Sequence, residues 1–218
     1  MDYGRPTRKW ANPVVEGVRR VADLVCAALL LALLSVPMLL IALAVWIEDG
    51  GPALFRQDRI GRDWTRFGML KFRTMTPGGD DADLRALIAR ELRGEDTTVD
   101  SSTKLSHDPR VTRVGAFLRS TSLDELPQLI NVLRGDMSLV GPRPCLDWEA
   151  DMFPARYASR FDVRPGLTGL WQVSGRSTLG TLEMLQLDVR YVRTRTLLSD
   201  LRILLLTALV LLRQDGAR

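Results

Sequence analysis

Leu24-Val25-Cys26-Ala27-Ala28-Leu29-Leu30-Leu31-Ala32-Leu33-Leu34-Ser35-Val36-Pro37-Met38-Leu39-Leu40-Ile41-Ala42-Leu43-Ala44-Val45-Trp46-Ile47 runs for 24 residues without a charge. As a helix rising 1.5 Å per residue it measures roughly 36 Å, enough to cross a hydrocarbon layer. Arg19 and Arg20 precede it like the basic flank of a signal peptide, but the run is too long for one, and retention as an anchor is the better reading. Pro37 cannot donate to the carbonyl of Leu33, and its ring crowds that carbonyl, so a bend is expected near mid-run. Ser35 is placed to hydrogen-bond a carbonyl one turn earlier and relieve part of the defect. A kinked spanning helix and a helix that enters and leaves on one face both satisfy this pattern. Arg5, Arg8, Lys9, Arg19 and Arg20 on one flank and Arg56, Arg59, Arg62 and Arg66 on the other tilt the choice toward re-entry, since positive charge marks a cytoplasmic flank.

Outward from the run, composition is that of an ordinary folded chain. The 218 residues are 46 % hydrophobic and 26 % charged, long enough for one catalytic core with accessories. Lys and Arg total 30 against 26 Asp and Glu, and nearly all the cations are arginines, whose planar fork suits phosphate oxygens. Cys26 and Cys145 lie far apart and give neither a disulfide framework nor a thiolate metal site, and His107 is the lone histidine. A nucleic-acid reader is disfavoured by the absence of a reading helix or an interleaved aromatic and basic platform.

After the anchor the pattern is α+β. Phe55 and the polar residues around Gly61 and Arg62 predict a short hairpin that leads into Phe67–Met75, where an extended strand puts Lys71 and Arg73 on one face and Leu70 and Phe72 on the other. A helix is predicted over Ala82–Leu92. Gly94–Asp108 reads as a structureless connection or an active-site lid. Asp124 and Glu125 then stand at the mouth of the apolar stretch Leu126–Leu133, with Arg110, Arg113 and Arg119 just upstream. Asp124 as helix N-cap puts Pro127 in the first turn; a capping box from Ser122 would put Pro127 deeper. A carboxylate held ionised at a helix start among arginines is able to attack phosphorus. Many Asp-Glu pairs are simple caps, however. Pro142 and Pro144 restrict the turn around Arg143, and Arg164–Gly169 forms a second basic turn without a Walker lysine. Trp171, Gln172, Ser174 and Arg176 follow in what reads as an extended segment. At the end, Leu197, Leu198, Leu201, Leu204, Leu205, Ala208, Leu211 and Leu212 recur at helical spacing and predict an interfacial or core-packed helix.

Lys71-Phe72-Arg73-Thr74-Met75, Ser122–Gln128, Asn131–Ser138, Val140–Pro144 and Arg164–Gly169 together resemble the bacterial sugar transferase family, the monotopic polyprenyl-phosphate phosphoglycosyl transferases, over about residues 17–215. The resemblance implies a membrane-associated α+β fold with a basic amphipathic segment at 1–19, a re-entrant helix-break-helix at 20–47 breaking at Ser35 and Pro37, and a core at 48–218 with a C-terminal interfacial helix. Many members have serine immediately before proline, whereas Val36 separates the two here. The implied reaction passes a sugar phosphate from a UDP-sugar to undecaprenyl phosphate with Mg²⁺, or Mn²⁺ in its place, and releases UMP. Asp124 matches the nucleophile and Glu125 its partner, with Asp124, joined by Glu125, as metal ligand. Lys71, Arg73, Arg119 and Arg143 match phosphate-site positions, and Arg164, Gly166, Thr168, Gly169 and Arg176 are nucleotide-contact candidates. Membrane phospholipids, the cytoplasmic face of a bacterial inner membrane and a candidate homodimer complete the expectation, with no nucleic-acid partner. The competing reading is a noncatalytic scaffold that binds anionic lipid or a phosphorylated partner.

Overall fold

Asn12 opens the first helix, its side-chain oxygen accepting from the Val14 N–H at 3.0 Å, with Pro13 at the first helical position, where a missing N–H costs nothing. The resulting α1 runs Pro13–Asp49 as one helix, Pro37 included, and stops at Gly50, whose left-handed backbone (φ 70°) lets its N–H reach the Trp46 carbonyl. Helix therefore already covers 13–19, part of the segment expected to precede the anchor. The expected serine bond is present, Ser35 Oγ donating to the Ala32 carbonyl at 2.9 Å. The computed structural model describes residues 12–76, 78, 82–95, 97, 110–175 and 179–213. The N-terminal stretch 1–11, most of the lid or connection at 94–108 including His107, and Arg176 lie outside these residues.

Only Arg19, Asp23, Ala27 and Val45 of α1 are buried, and 6 % of its most apolar window is covered by the rest of the chain. An apolar surface of that extent is incompatible with water and marks α1 as membrane-associated. The few buried positions show how it is attached. Near its start Arg20 donates to the Val132 and Leu133 carbonyls at 2.6 and 2.9 Å, and Asp23 accepts from Ser138 Oγ and the Leu139 N–H. At its far end Glu48 accepts the N–H groups of Arg113 and Val114, and Asp49 pairs with Arg73.

The predicted hairpin forms from β1 (Leu54–Ile60) and β2 (Arg66–Phe72), antiparallel from Leu54 opposite Phe72 to Ile60 opposite Arg66. The predicted helix forms as α2 (Ala82–Leu92). Next come α3 (Arg113–Thr121), α4 (Gln128–Arg134), β3 (Ser138–Val140), α5 (Asp147–Met152), β4 (Gly166–Thr168), α6 (Leu170–Ser174), α7 (Thr181–Thr194) and α8 (Leu197–Arg213). β3 and β4 pair in parallel. Trp171 and Gln172, read from sequence as extended, are helical: the short α6 sits between Gly169 and Gly175, too brief to show periodicity.

One apolar cluster joins Ala27 of α1 to Leu129 and Val132 of α4, Leu139 and Val140 of β3, Tyr191 and Val192 of α7 and Ile203 of α8. A second seats Val45 against Phe72 and Leu118, with Leu123 and Leu126 alongside. Asn131, fully buried, ties α4 to the free edge of β2: its Oδ1 accepts from the Leu70 N–H at 3.0 Å and its Nδ2 donates to the Gly68 carbonyl at 2.8 Å. It stands where a third strand would bond, so β2 is held along both edges.

Candidate active site

Between α3 and α4 the chain makes a tight turn over Leu123–Glu125, entered through Ser122 in a left-handed conformation (φ 59°). Asp124 thus sits in a separate turn ahead of α4 and does not cap that helix, which begins after Pro127. Leu123 and Leu126 pack beside Phe72 and Leu118, which fixes the two carboxylates between them relative to β2.

Lys71 of β2 approaches Glu125 Oε1 with its Nζ at 3.4 Å, and Arg143 Nη1 lies 3.7 Å from the same oxygen. The Arg143 guanidinium stands 5.8 Å from the centre of the Trp171 ring. Its backbone is held from behind: Arg160 Nη2 donates to the Arg143 carbonyl at 2.7 Å and to Asp188 Oδ2 at 2.8 Å, both Arg160 and Asp188 being buried. Burial pushes the Asp124 carboxyl above the ordinary aspartate range, opposed by Lys71, reinforced by Glu125 and opposed again by Arg143 and Arg119. Burial likewise holds the Lys71 ammonium below its usual range, against the pull of Glu125. A poorly solvated carboxylate is, in its ionised form, a competent nucleophile toward an electrophilic phosphorus, and the neighbouring cations both favour that form and suit the phosphate oxygens around it.

The cleft beside this pair is lined by Lys71, Glu125, Gln128, Arg143, Gly166 and Gln172, among others. Of the residues nominated from sequence, Lys71, Glu125, Arg143 and Gly166 converge there, and Asp124 adjoins them. Arg119 is exposed, close enough to act on Asp124, and its Nη1 touches Met75 Sδ at 3.5 Å. Arg73 turns instead to Asp49, and Arg164 donates from Nε to the Gly135 carbonyl at 2.9 Å. Thr168 shares a hydrogen bond with Thr207 of α8. Gly166 and Gly141 interlock so closely that a Cβ on Gly166 would collide with the Gly141 nitrogen, and a Cβ on Gly169 would meet the Gly141 carbonyl. The two basic turns around Arg143 and Arg164 are thereby locked to each other.

Gln128, Gln172 and Trp171 were not nominated as site residues. Gln128 and Asn131 carried a readable signal, two polar side chains three apart on the inward face of an apolar helix. Gln172 and Trp171 carried none, yet Gln172 Oε1 and Trp171 Nε1 are both buried without a hydrogen-bond partner among the described residues. Such groups at a cleft mark places for ligand contacts. Among the described residues no group of three or more His, Cys, Asp or Glu side chains converges. Asp124 and Glu125 offer a pair of carboxylates beside a phosphate-suited cleft, and that donor set fits Mg²⁺, which binds through one or two carboxylates together with substrate phosphates.

Comparison with known proteins shows the family. The family model described as bacterial sugar transferase matches residues 14–214. The UDP-glucose:undecaprenyl-phosphate glucose-1-phosphate transferase of Caulobacter vibrioides is 46 % identical, over 98 % of this chain and 76 % of its own length. The undecaprenyl-phosphate galactose phosphotransferase of Salmonella typhimurium is 43 % identical over 92 % of this chain, which spans 41 % of that relative. The exopolysaccharide production protein ExoY of Rhizobium meliloti is 40 % identical over 90 % of this chain and 86 % of its own. From the first turn of α1 to the end of α8 the match is unbroken, and the chain belongs to the bacterial sugar transferase family.

Proposed function

We propose that this chain transfers a sugar 1-phosphate from a UDP-sugar to undecaprenyl phosphate, forming undecaprenyl diphosphate sugar and UMP through a covalent intermediate on Asp124. The observation that carries the proposal is the half-buried Asp124 carboxylate beside Lys71 and Arg143, inside a family match that covers the chain. A carboxylate oxygen of Asp124 bonds to the phosphorus that bears the sugar as that phosphorus loses its bridging oxygen to UMP, which departs with the electron pair. A phosphate oxygen of the acceptor then attacks the same phosphorus, and the carboxylate leaves. Lys71 and Arg143 hold the phosphate oxygens, with Arg119 as an outer cation and Arg73 held away by Asp49, while Gln172 Oε1 and Trp171 Nε1 take up polar groups of the donor. Asp124 and Glu125 would hold Mg²⁺, which when bound supplies charge neutralisation of the diphosphate. The relatives named for UDP-glucose and for galactose make those two sugars the first donors to test.

The anchor reading is that α1 enters and leaves on the cytoplasmic face of a bacterial inner membrane, bending at Ser35 and Pro37. Its support is that both ends of α1 are fastened to one body. Asp23 holds β3 and Glu48 holds α3, although 25 residues of helix separate them by roughly 38 Å. A straight spanning helix would put those attachments on opposite sides of the bilayer, with polar backbone of the core forced through hydrocarbon. α8 fits an interfacial helix, with Ile203 buried and Leu198, Leu201 and Leu205 exposed.

The test is a quenched reaction of near-stoichiometric UDP-sugar and Mg²⁺ without acceptor. A burst of UMP and a sugar-phosphate adduct on Asp124 are expected, and Asp124→Asn removes both while the protein stays folded. A scaffold gives no UMP under any condition. Loss of both burst and adduct, with full turnover once acceptor is added, leaves direct transfer and removes Asp124 as nucleophile.

A further inference from the structure

Apart from the cleft described above, α7 and the 3-10 segment Ala155–Asp162 line an open cavity of about 400 Å³ that has no part in the proposed reaction. Tyr157 and Val189, both buried, form its floor; Arg156, Arg190 and Arg193 stand around the rim, and no carboxylate among the described residues lines it. Arg190 and Arg193 follow at one-turn spacing on the exposed face of α7, and neither makes an ion pair among the described residues. The cavity also lies beside the apolar surfaces of the molecule. Thr194 at its edge leads through Arg195 and Thr196 directly into α8, where Leu197 and Leu198 are exposed, and Arg195 pairs with Glu16 in the first turn of α1 at 2.9 Å.

We propose that this cavity binds the phosphate headgroup of an anionic phospholipid, with the acyl chains running out along the exposed leucines of α8. Three cations with no counter-charge among the described residues suit an anion. An apolar floor with an adjoining apolar helix face favours an amphiphile over a free ion. A nucleotide is disfavoured because the Tyr157 ring, the one aromatic face among the described lining residues, already carries the Arg156 guanidinium at 4.8 Å. A second copy of the chain is disfavoured because a two-fold contact would set these arginines against themselves. The proposal rests on the membrane placement of α1 and α8 and is independent of the assignment of Asp124.

The experiment places the full chain in nanodiscs of phosphatidylcholine doped with a minority of phosphatidylglycerol and counts retained lipids by native mass spectrometry. The wild type should retain phosphatidylglycerol in preference to phosphatidylcholine, and Arg190→Gln/Arg193→Gln should lose about thirty-fold of that preference. Arg156→Gln, which leaves α7 untouched, should lose part of it, so a folding defect in the double variant does not decide the outcome. UMP release at saturating substrates should be unchanged in both variants. Equal preference in wild type and variants overturns the proposal. Displacement of the retained lipid by inorganic phosphate at matched headgroup concentration also overturns it, in favour of a soluble phosphate ligand. A chain that does not enter nanodiscs at all overturns the membrane placement with it.

Discussion

Replacing Asn131 by Ala removes the one side chain among the described residues that satisfies the outer edge of β2 between Gly68 and Leu70. The Leu70 N–H and the Gly68 carbonyl lose partners at 3.0 and 2.8 Å, and Asp136 loses one at 3.1 Å. Each orphaned backbone group costs about 1–3 kcal/mol, and because β2 is only partly buried, water recovers some of it, which gives a net loss of about 2–4 kcal/mol. For a chain of this length that corresponds to a fall of about 4–16 °C in the apparent melting midpoint, read by thermal unfolding in detergent. Turnover should fall further than stability alone dictates, because Lys71 is the next residue along the freed strand. Asn131→Asp is the sharper control. It keeps the acceptor for Leu70 but sets a carboxylate against the Gly68 carbonyl and Asp136, so it should be at least as damaging as alanine. A wild-type midpoint in either variant would refute the idea that this side chain stands in for a strand.

Lys71→Met should move the acid limb of the pH–rate profile to higher pH: burial already raises the Asp124 pKa, Lys71 opposes that shift, and the nucleophile must be ionised to react. An unmoved acid limb would argue that Lys71 does not face Asp124 during turnover. Arg160→Met should lower activity mainly by freeing the Arg143 turn, with KM for the donor rising. It should also destabilise by several kcal/mol, since Asp188 is left buried and unpaired. Tags placed before Arg19 and after Asp49 should both report the cytoplasmic side, and Pro37→Leu should shift a fraction of molecules to a spanning state; tags on opposite sides of intact membranes in the wild type would overturn re-entry.

The sequence announced what depends on local pattern. The charge-free run, the hairpin around Gly61 and the helix over Ala82–Leu92 each follow from periodicity or turn chemistry that neighbours in the chain impose on one another. The order of the motifs disclosed the family. What stayed hidden depends on partners distant in sequence. Arg73 and Lys71 look equivalent two residues apart, yet one meets Asp49 and the other Glu125. Arg164 sits in a turn that suggests a ligand, while its guanidinium goes to Gly135. Asp124 as a helix cap suits Pro127 in a first turn, but the left-handed Ser122 that sets Leu123–Glu125 apart as a separate turn leaves no mark in composition. The lock between Gly141 and Gly166 is equally silent until the two turns are laid side by side.

The join between Arg19 and Asp200 also imposes a schedule on biosynthesis. The two residues are 181 positions apart, and Asp200 bonds both the Arg19 guanidinium and the Tyr191 hydroxyl. At about 5–20 residues per second, a ribosome needs roughly 10–35 s to deliver Asp200 after Arg19 has emerged. Throughout that interval Arg19 lacks this counter-charge, and much of what packs on the start of α1 in β3, α7 and α8 is still unmade. The first helix to be made is therefore among the last to be fastened, and a chain cut short before Asp200 would leave the start of α1 without this tie.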